Sequence, residues 1–217
     1  DFVLPDRFAG RRNHHPFINL CDLAPTLPES ARLKPPAVTA GQNILPPLDG
    51  RTQPGRDKVS IERERHANVR PGDLSYPMRA VRTDQYLYIR NLRADRWPAG
   101  NPERYIAVGP FGDCDAGPTK EVILNHRNEP NFARFFELCF AKRPAEELYD
   151  LAADPDQVHN IAGTPRYESA RREMRAVLDR WMRETKDPRF DHDDDHWDEY
   201  PYYGDNYVKP RPAPGVQ

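Results

Sequence analysis

The chain has 217 residues, room for one domain and a small second one. Apolar residues make up 37%, charged residues 30% and aromatic residues 10%, with 24 Pro against 12 Gly; this excludes a wholly disordered chain and implies a core beneath much proline-punctuated surface. A net charge of −2, with both signs interspersed, offers no basic field to nucleic acid, and no apolar run reaches the roughly 20 residues needed to span a bilayer.

The opening DFVLPDRFAG has no basic segment followed by an apolar one, so no signal peptide is visible, and Asp1 in place of an initiator Met leads us to expect a fragment. In PFINLCDLAPTLPESARL, Phe17, Leu20, Cys21, Ala24 and Leu27 fall at helical spacing, with Pro25 near a first turn. Residues 34–54 are rich in Pro, Gly and Thr and read as a long surface connection. DKVSIERERHA then alternates, with Val59, Ile61, Arg63 and Arg65 on one face and Ser60, Glu62, Glu64 and His66 on the other, as a strand does. YPMRAVRTDQYLYIRNL reads as two strands joined by the turn Thr83-Asp84-Gln85, a β-hairpin.

Irregular stretches RWPAGNPERY and GPFGDCDAGPT follow, then helices are expected over about 119–128 and 132–140 and a strand over 147–151. The clearest element is the last helix, with Thr164 as cap and Pro165 in its first position. Ala170, Met174, Val177, Leu178, Trp181 and Met182 form its apolar stripe, and Asp187-Pro188 is expected to end it. The expected fold class is α+β: about four antiparallel strands packed by this long amphipathic helix. Cys21, Cys114 and Cys139 are far apart and odd in number, which suggests buried free thiols, with one disulfide plus a spare thiol left open.

DHDDDHWDEY (191–200) holds two His and six carboxylates, ligand types suited to zinc, iron or manganese. His192 and His196 are four apart, but they follow Asp187-Pro188, and a run of Asp is a poor helix former. The stretch reads as a wrapped tail pinned by Trp197, Tyr200, Tyr202 and Tyr203 rather than as a metal site.

Several of these segments share motifs with one family. INLCDLAPTL resembles the helix near the end of the large domain of type I sulfatases, GQNILPPLDGR resembles the linker after it, and ELYDLAADPDQVHNIA resembles the signature of their C-terminal subdomain. LSYPMRAVRTDQYLYIRNL and LDRWMRETKDPR are similar to the branch that includes heparan N-sulfatase (sulfamidase). The resemblance implies three parts: residues 1–50 as the end of an alkaline-phosphatase-like α/β domain plus linker, 51–190 as the C-terminal subdomain, and 191–217 as an acidic, aromatic tail. It further implies a full-length hydrolase of sulfate esters or sulfamates on a sulfated, glycosaminoglycan-type sugar, and an extracytoplasmic location.

The same resemblance implies a formylglycine nucleophile and a calcium ion held by oxygen ligands. No Cys of this chain lies in the C/S-x-P/A-S-R motif, and the expected calcium ligands are absent, so the isolated chain is expected to be inactive and to carry no catalytic or metal residue. Its expected part is substrate choice. His66 is the first candidate, as a hydrogen-bonding group at the pocket edge, against an exposed strand-end His without a role. Glu64, on the same face, could orient the His66 ring or be a solvated edge charge. The loop DCDAGPTK, Asp113 to Lys120, could reach over the pocket, and Lys120 at the helix start is a candidate for anion contact. Arg63 and Arg65 are expected to pair with nearby acids, and Tyr76 and Arg79 to serve structure. The competing readings are a stand-alone, non-catalytic module binding a sulfated glycan or a protein, and a phosphatase or phosphodiesterase of the same superfamily.

Overall fold

The computed structural model describes residues 17–103, 108–192 and 195–202. His14, His15, Asp193, Asp194 and Tyr203 lie outside the described residues. Two compact units divide the chain: residues 1–59 with 82–84, and residues 60–81 with 85–217.

In the first unit, Asn19 and Asp22 form a reciprocal cap on the 3-10 turn Leu20–Asp22. Helix α1 (Leu23–Ser30) follows, and a short helix α2 (Leu45–Leu48) lies further on. The expected apolar stripe is not the buried side: Leu20 and Leu27 are exposed, whereas Asp22, Pro25 and Thr26 are buried. Hydrogen bonding explains the reversal. Asp22 accepts from the amide of Gln42 (2.8 Å) and pairs with Arg56, and Thr26 accepts from the amide of Ile44 (3.0 Å). Gly41 allows this approach, since a Cβ there would lie 2.1 Å from the Cys21 carbonyl oxygen.

Strands β1 (Lys58–Arg63), β2 (Met78–Thr83), β3 (Tyr86–Asn91) and β4 (Glu146–Asp150) form a single antiparallel sheet in that order. β3 and β4 pair with Tyr88 opposite Leu148. Val81, Tyr88 and Leu148 face Met174, Leu178 and Met182 of the long helix α5 (Glu168–Glu184), making the core. Helices α3 (Pro118–Asn125) and α4 (Pro130–Cys139) fill the stretch between β3 and β4. On the opposite face of β4, Glu147 is buried and accepts from Asn91 (2.7 Å), Arg143 and Tyr149.

α5 spans Glu168–Glu184 behind a 3-10 turn, Pro165–Tyr167, and the side chain of Thr164 makes no cap bond. The helix stops before Asp187, because Lys186 turns the chain at φ +56°. Asp187 then caps a new short helix, α6 (Pro188–Asp191), with Pro188 in its first turn. Helix α7 (His196–Glu199) is the last described helix. All three cysteines are free, and Cys21 and Cys139 are exposed rather than buried. Among the described residues, no helix is long and apolar enough to cross a membrane.

Candidate functional site

β1 ends at Arg63, although the alternating pattern runs on to Ala67. The chain leaves the sheet there because its next side chains are drawn into ionic contacts. Glu64 accepts from Arg79 Nη2 (2.7 Å) and takes a forked pair from Arg189 (2.8 and 2.9 Å). Arg65 donates to the carbonyls of Asp73 (3.1 Å) and Tyr200 (2.6 Å). His66 therefore sits on the loop past the strand, with its side chain 71% exposed.

The carboxylate beside His66 is Asp113, from the loop before α3. His66 Nδ1 lies 3.0 Å from Asp113 Oδ1, while Arg63 (2.7 Å) and Arg70 (2.8 Å) both donate to Oδ2. The Asp113 side chain is only 3% exposed. Arg70 is anchored as well, donating to the carbonyls of Trp97 and Pro98 at 2.8 Å each. Burial lowers the pKa of Arg70 and Asp113 opposes that shift. Two guanidiniums against one carboxylate leave positive charge at the surface, where the Arg63 side chain is 34% exposed beside the imidazole. A guanidinium and an imidazole side by side suit an oxyanion flanked by hydroxyl or amine groups.

Of the three candidate residues, His66 alone faces solvent. Both Glu64 oxygens are held by arginines, and Glu64 is not the partner of the ring. Lys120 is 6% exposed, and its ammonium donates to the carbonyls of Val108 (3.1 Å), Phe111 (3.2 Å) and Cys114 (2.7 Å), which uses all three of its protons. Burial lowers its pKa. Its position clamps the loop that carries Asp113. Phe111 adds a second hold at φ +52°, with ring centroids 5.7 Å from Trp97, 5.9 Å from Phe136 and 5.1 Å from Phe140. The sequence marks Asp113 only as the start of the loop expected to reach over the pocket, not as the partner of His66. The only local signal was its place in the Gly- and Pro-rich stretch GDCDAGPT.

The acidic tail is organised by arginines. Asp195 binds Arg93 (2.9 Å), Arg96 (3.1 Å) and Arg189 (3.2 Å), and Asp198 binds Arg96 (2.7 Å) and the amide of Ser75 (2.6 Å). His196 contacts Glu199 and the Tyr200 hydroxyl, each at 3.0 Å. Arg65 stacks 5.8 Å from the Tyr202 ring centroid. No group of three or more His, Cys, Asp or Glu side chains among the described residues is placed to hold a metal ion.

No family model matches the chain. It is 28% identical over 184 residues to an ulvan-active sulfatase of Formosa agariphila, a match covering 82% of this chain and 27% of that protein. It is 24% identical over 183 residues to the human N-sulphoglucosamine sulphohydrolase, covering 79% of this chain and 33% of the relative. Among solved structures, a 2-O GAG sulfatase aligns with 75% of this chain and 24% of its own, at 23% identity and a TM-score of 0.44. The chain thus spans about a third or less of the curated relatives it matches, and those relatives are sulfatases.

Proposed function

We propose that this chain is the C-terminal part of a sulfatase that removes sulfate, as ester or sulfamate, from a sulfated sugar. The observation that carries the reading is the similarity to sulfatases along about four fifths of the chain. In this reading the nucleophile, the calcium ion and the formylglycine modification belong to residues outside these 217. The chain contributes the wall of the pocket that meets the sugar. His66 and Arg63 touch substrate: the guanidinium binds an anionic oxygen, and the imidazole hydrogen-bonds a neighbouring hydroxyl or amine. Glu64 and Lys120 act behind them, Glu64 through Arg79 and Arg189, Lys120 by fixing the loop of Asp113. An extracytoplasmic location goes with the same reading.

Sulfate release tests it. Purified 1–217 turns over neither an aryl sulfate nor N-sulfoglucosamine, while a longer protein that contains this chain and a formylglycine motif releases sulfate from sulfated sugars. Turnover by 1–217 itself, or a longer protein inert on every sulfated sugar, contradicts the proposal.

A further inference from the structure

Asp113 and His66 are held very differently. His66 is mostly exposed, and Asp113 is its side-chain partner among the described residues. The Asp113 side chain is buried and loaded at both oxygens, with Oδ2 taken by Arg63 and Arg70 and Oδ1 left for the ring. Its backbone is fixed too: the Asp113 amide donates to Ala99 (3.0 Å), the Cys114 amide to Phe111 (3.0 Å), and Lys120 clamps three carbonyls of the same loop. The direction of an exposed ring is thus dictated by a rigid loop 47 residues away in sequence.

We infer that Asp113 is a positioning residue for His66: it holds the neutral imidazole as the Nδ1–H tautomer and leaves Nε2 outward, an acceptor beside the Arg63 guanidinium. An ionised carboxylate only accepts, so the ring nitrogen facing it carries the proton and the other keeps its lone pair. The pair of groups then selects a ligand that presents an anionic oxygen to Arg63 and a hydroxyl or amine proton to Nε2. Only the identity of that ligand, a sulfated sugar, rests on the function proposed above; the positioning does not.

Asp113→Asn inverts the tautomer with little change of shape. Two guanidiniums require an oxygen at the Oδ2 position, so the new amide turns its NH₂ toward His66, and Nδ1 becomes the acceptor. In ¹⁵N-labelled 1–217 at alkaline pH, where the ring is neutral, long-range ¹H–¹⁵N spectra should show His66 Nε2 unprotonated in the wild type and protonated in Asp113→Asn. His66→Gln identifies the signal. A wild-type ring protonated at Nε2, or an unchanged tautomer in Asp113→Asn, overturns the inference; the wild-type spectrum decides alone if the variant does not fold. In the longer protein, Asp113→Asn should lower kcat/KM for N-sulfoglucosamine about tenfold or more when His66 is present and have little further effect in a His66→Ala background. A full loss that persists without His66 overturns positioning through the ring. If the tautomer inverts as stated but neither variant changes kcat/KM, the sugar reading falls and the positioning role stands.

Discussion

Arg79 on β2 is almost fully buried, with its guanidinium forked onto Asp187 and reaching Glu64 at 2.7 Å. Burial alone would lower its pKa; the hydrogen bonds it donates to Asp187 and Glu64 outweigh that and raise it. Removing one partner of a buried pair strands the other charge, so Arg79→Ala should cost about 3–5 kcal/mol of stability. Arg79→Lys should recover part of that, because an ammonium cannot reproduce the fork. Urea denaturation checks both, and a loss below about 1 kcal/mol for Arg79→Ala would assign the pairing little weight. Single residues were legible from sequence only in part. His66 could be named because the family resemblance points to a His-containing segment before Ser75-Tyr76-Pro77-Met78-Arg79, and the loop Asp113–Lys120 because loops carry specificity. That Asp113 holds the ring could not be read, because its partners Arg63, His66 and Arg70 lie 43–50 residues away and no periodicity encodes such a meeting.

Among the elements, α5 owes its position to one stripe of side chains. Leu178 is completely buried against Val81, Tyr88 and Leu148, so Leu178→Ala should destabilise the chain by about 2–5 kcal/mol, read as a lower urea midpoint. This stripe and the β2–β3 hairpin could be read in advance, since their periods of 3.6 and 2 lie within a few residues. The buried side of α1 could not, because polar side chains rather than apolar ones make its tertiary contacts. Nor could the end of β1, where arginines claim Glu64.

The tail helix α7 depends on ionised carboxylates. For both Asp195 and Asp198, burial would raise the pKa, but hydrogen bonds win and hold it below the usual 3.8: Arg93 and Arg189 act on Asp195, Ser75 and Arg96 on Asp198. A depressed carboxylate stabilises above its unfolded pKa, and that contribution fades as pH falls through the folded value. The tail should therefore stay attached at pH 5 and loosen only well into acid. The Ser75 amide proton, which donates to Asp198, reports this directly in an NMR titration. Its shift should be centred below pH 3.8, and a midpoint at or above that value contradicts the contact.

The whole molecule carries a net charge of −2, yet the surface around His66 and Arg63 is locally positive, because the carboxylates nearest to it, Asp113 and Glu64, are each held by two arginines. Overall charge thus says little about the ligand, and the arrangement of a few side chains says more. The same holds for DHDDDHWDEY, whose ligand-like composition suggested chemistry while two of its carboxylates, Asp195 and Asp198, tie the tail to Arg93, Arg96 and Arg189. Steady-state kinetics of the longer protein, compared between a sulfated glucosamine and an aryl sulfate that lacks the sugar, test most directly that this chain supplies the sugar-facing wall. Losing a hydrogen bond to a charged group costs about 1.5–3 kcal/mol, so His66→Ala and Arg63→Ala should each lower kcat/KM for the sugar about 10- to 150-fold. For His66→Ala the aryl sulfate should be turned over at nearly the wild-type rate, because it lacks the sugar hydroxyl or amine that the ring meets; Arg63→Ala, which meets the anionic oxygen, should weaken both substrates. Equal losses on both substrates for His66→Ala, or no loss on the sugar for either variant, would contradict the account.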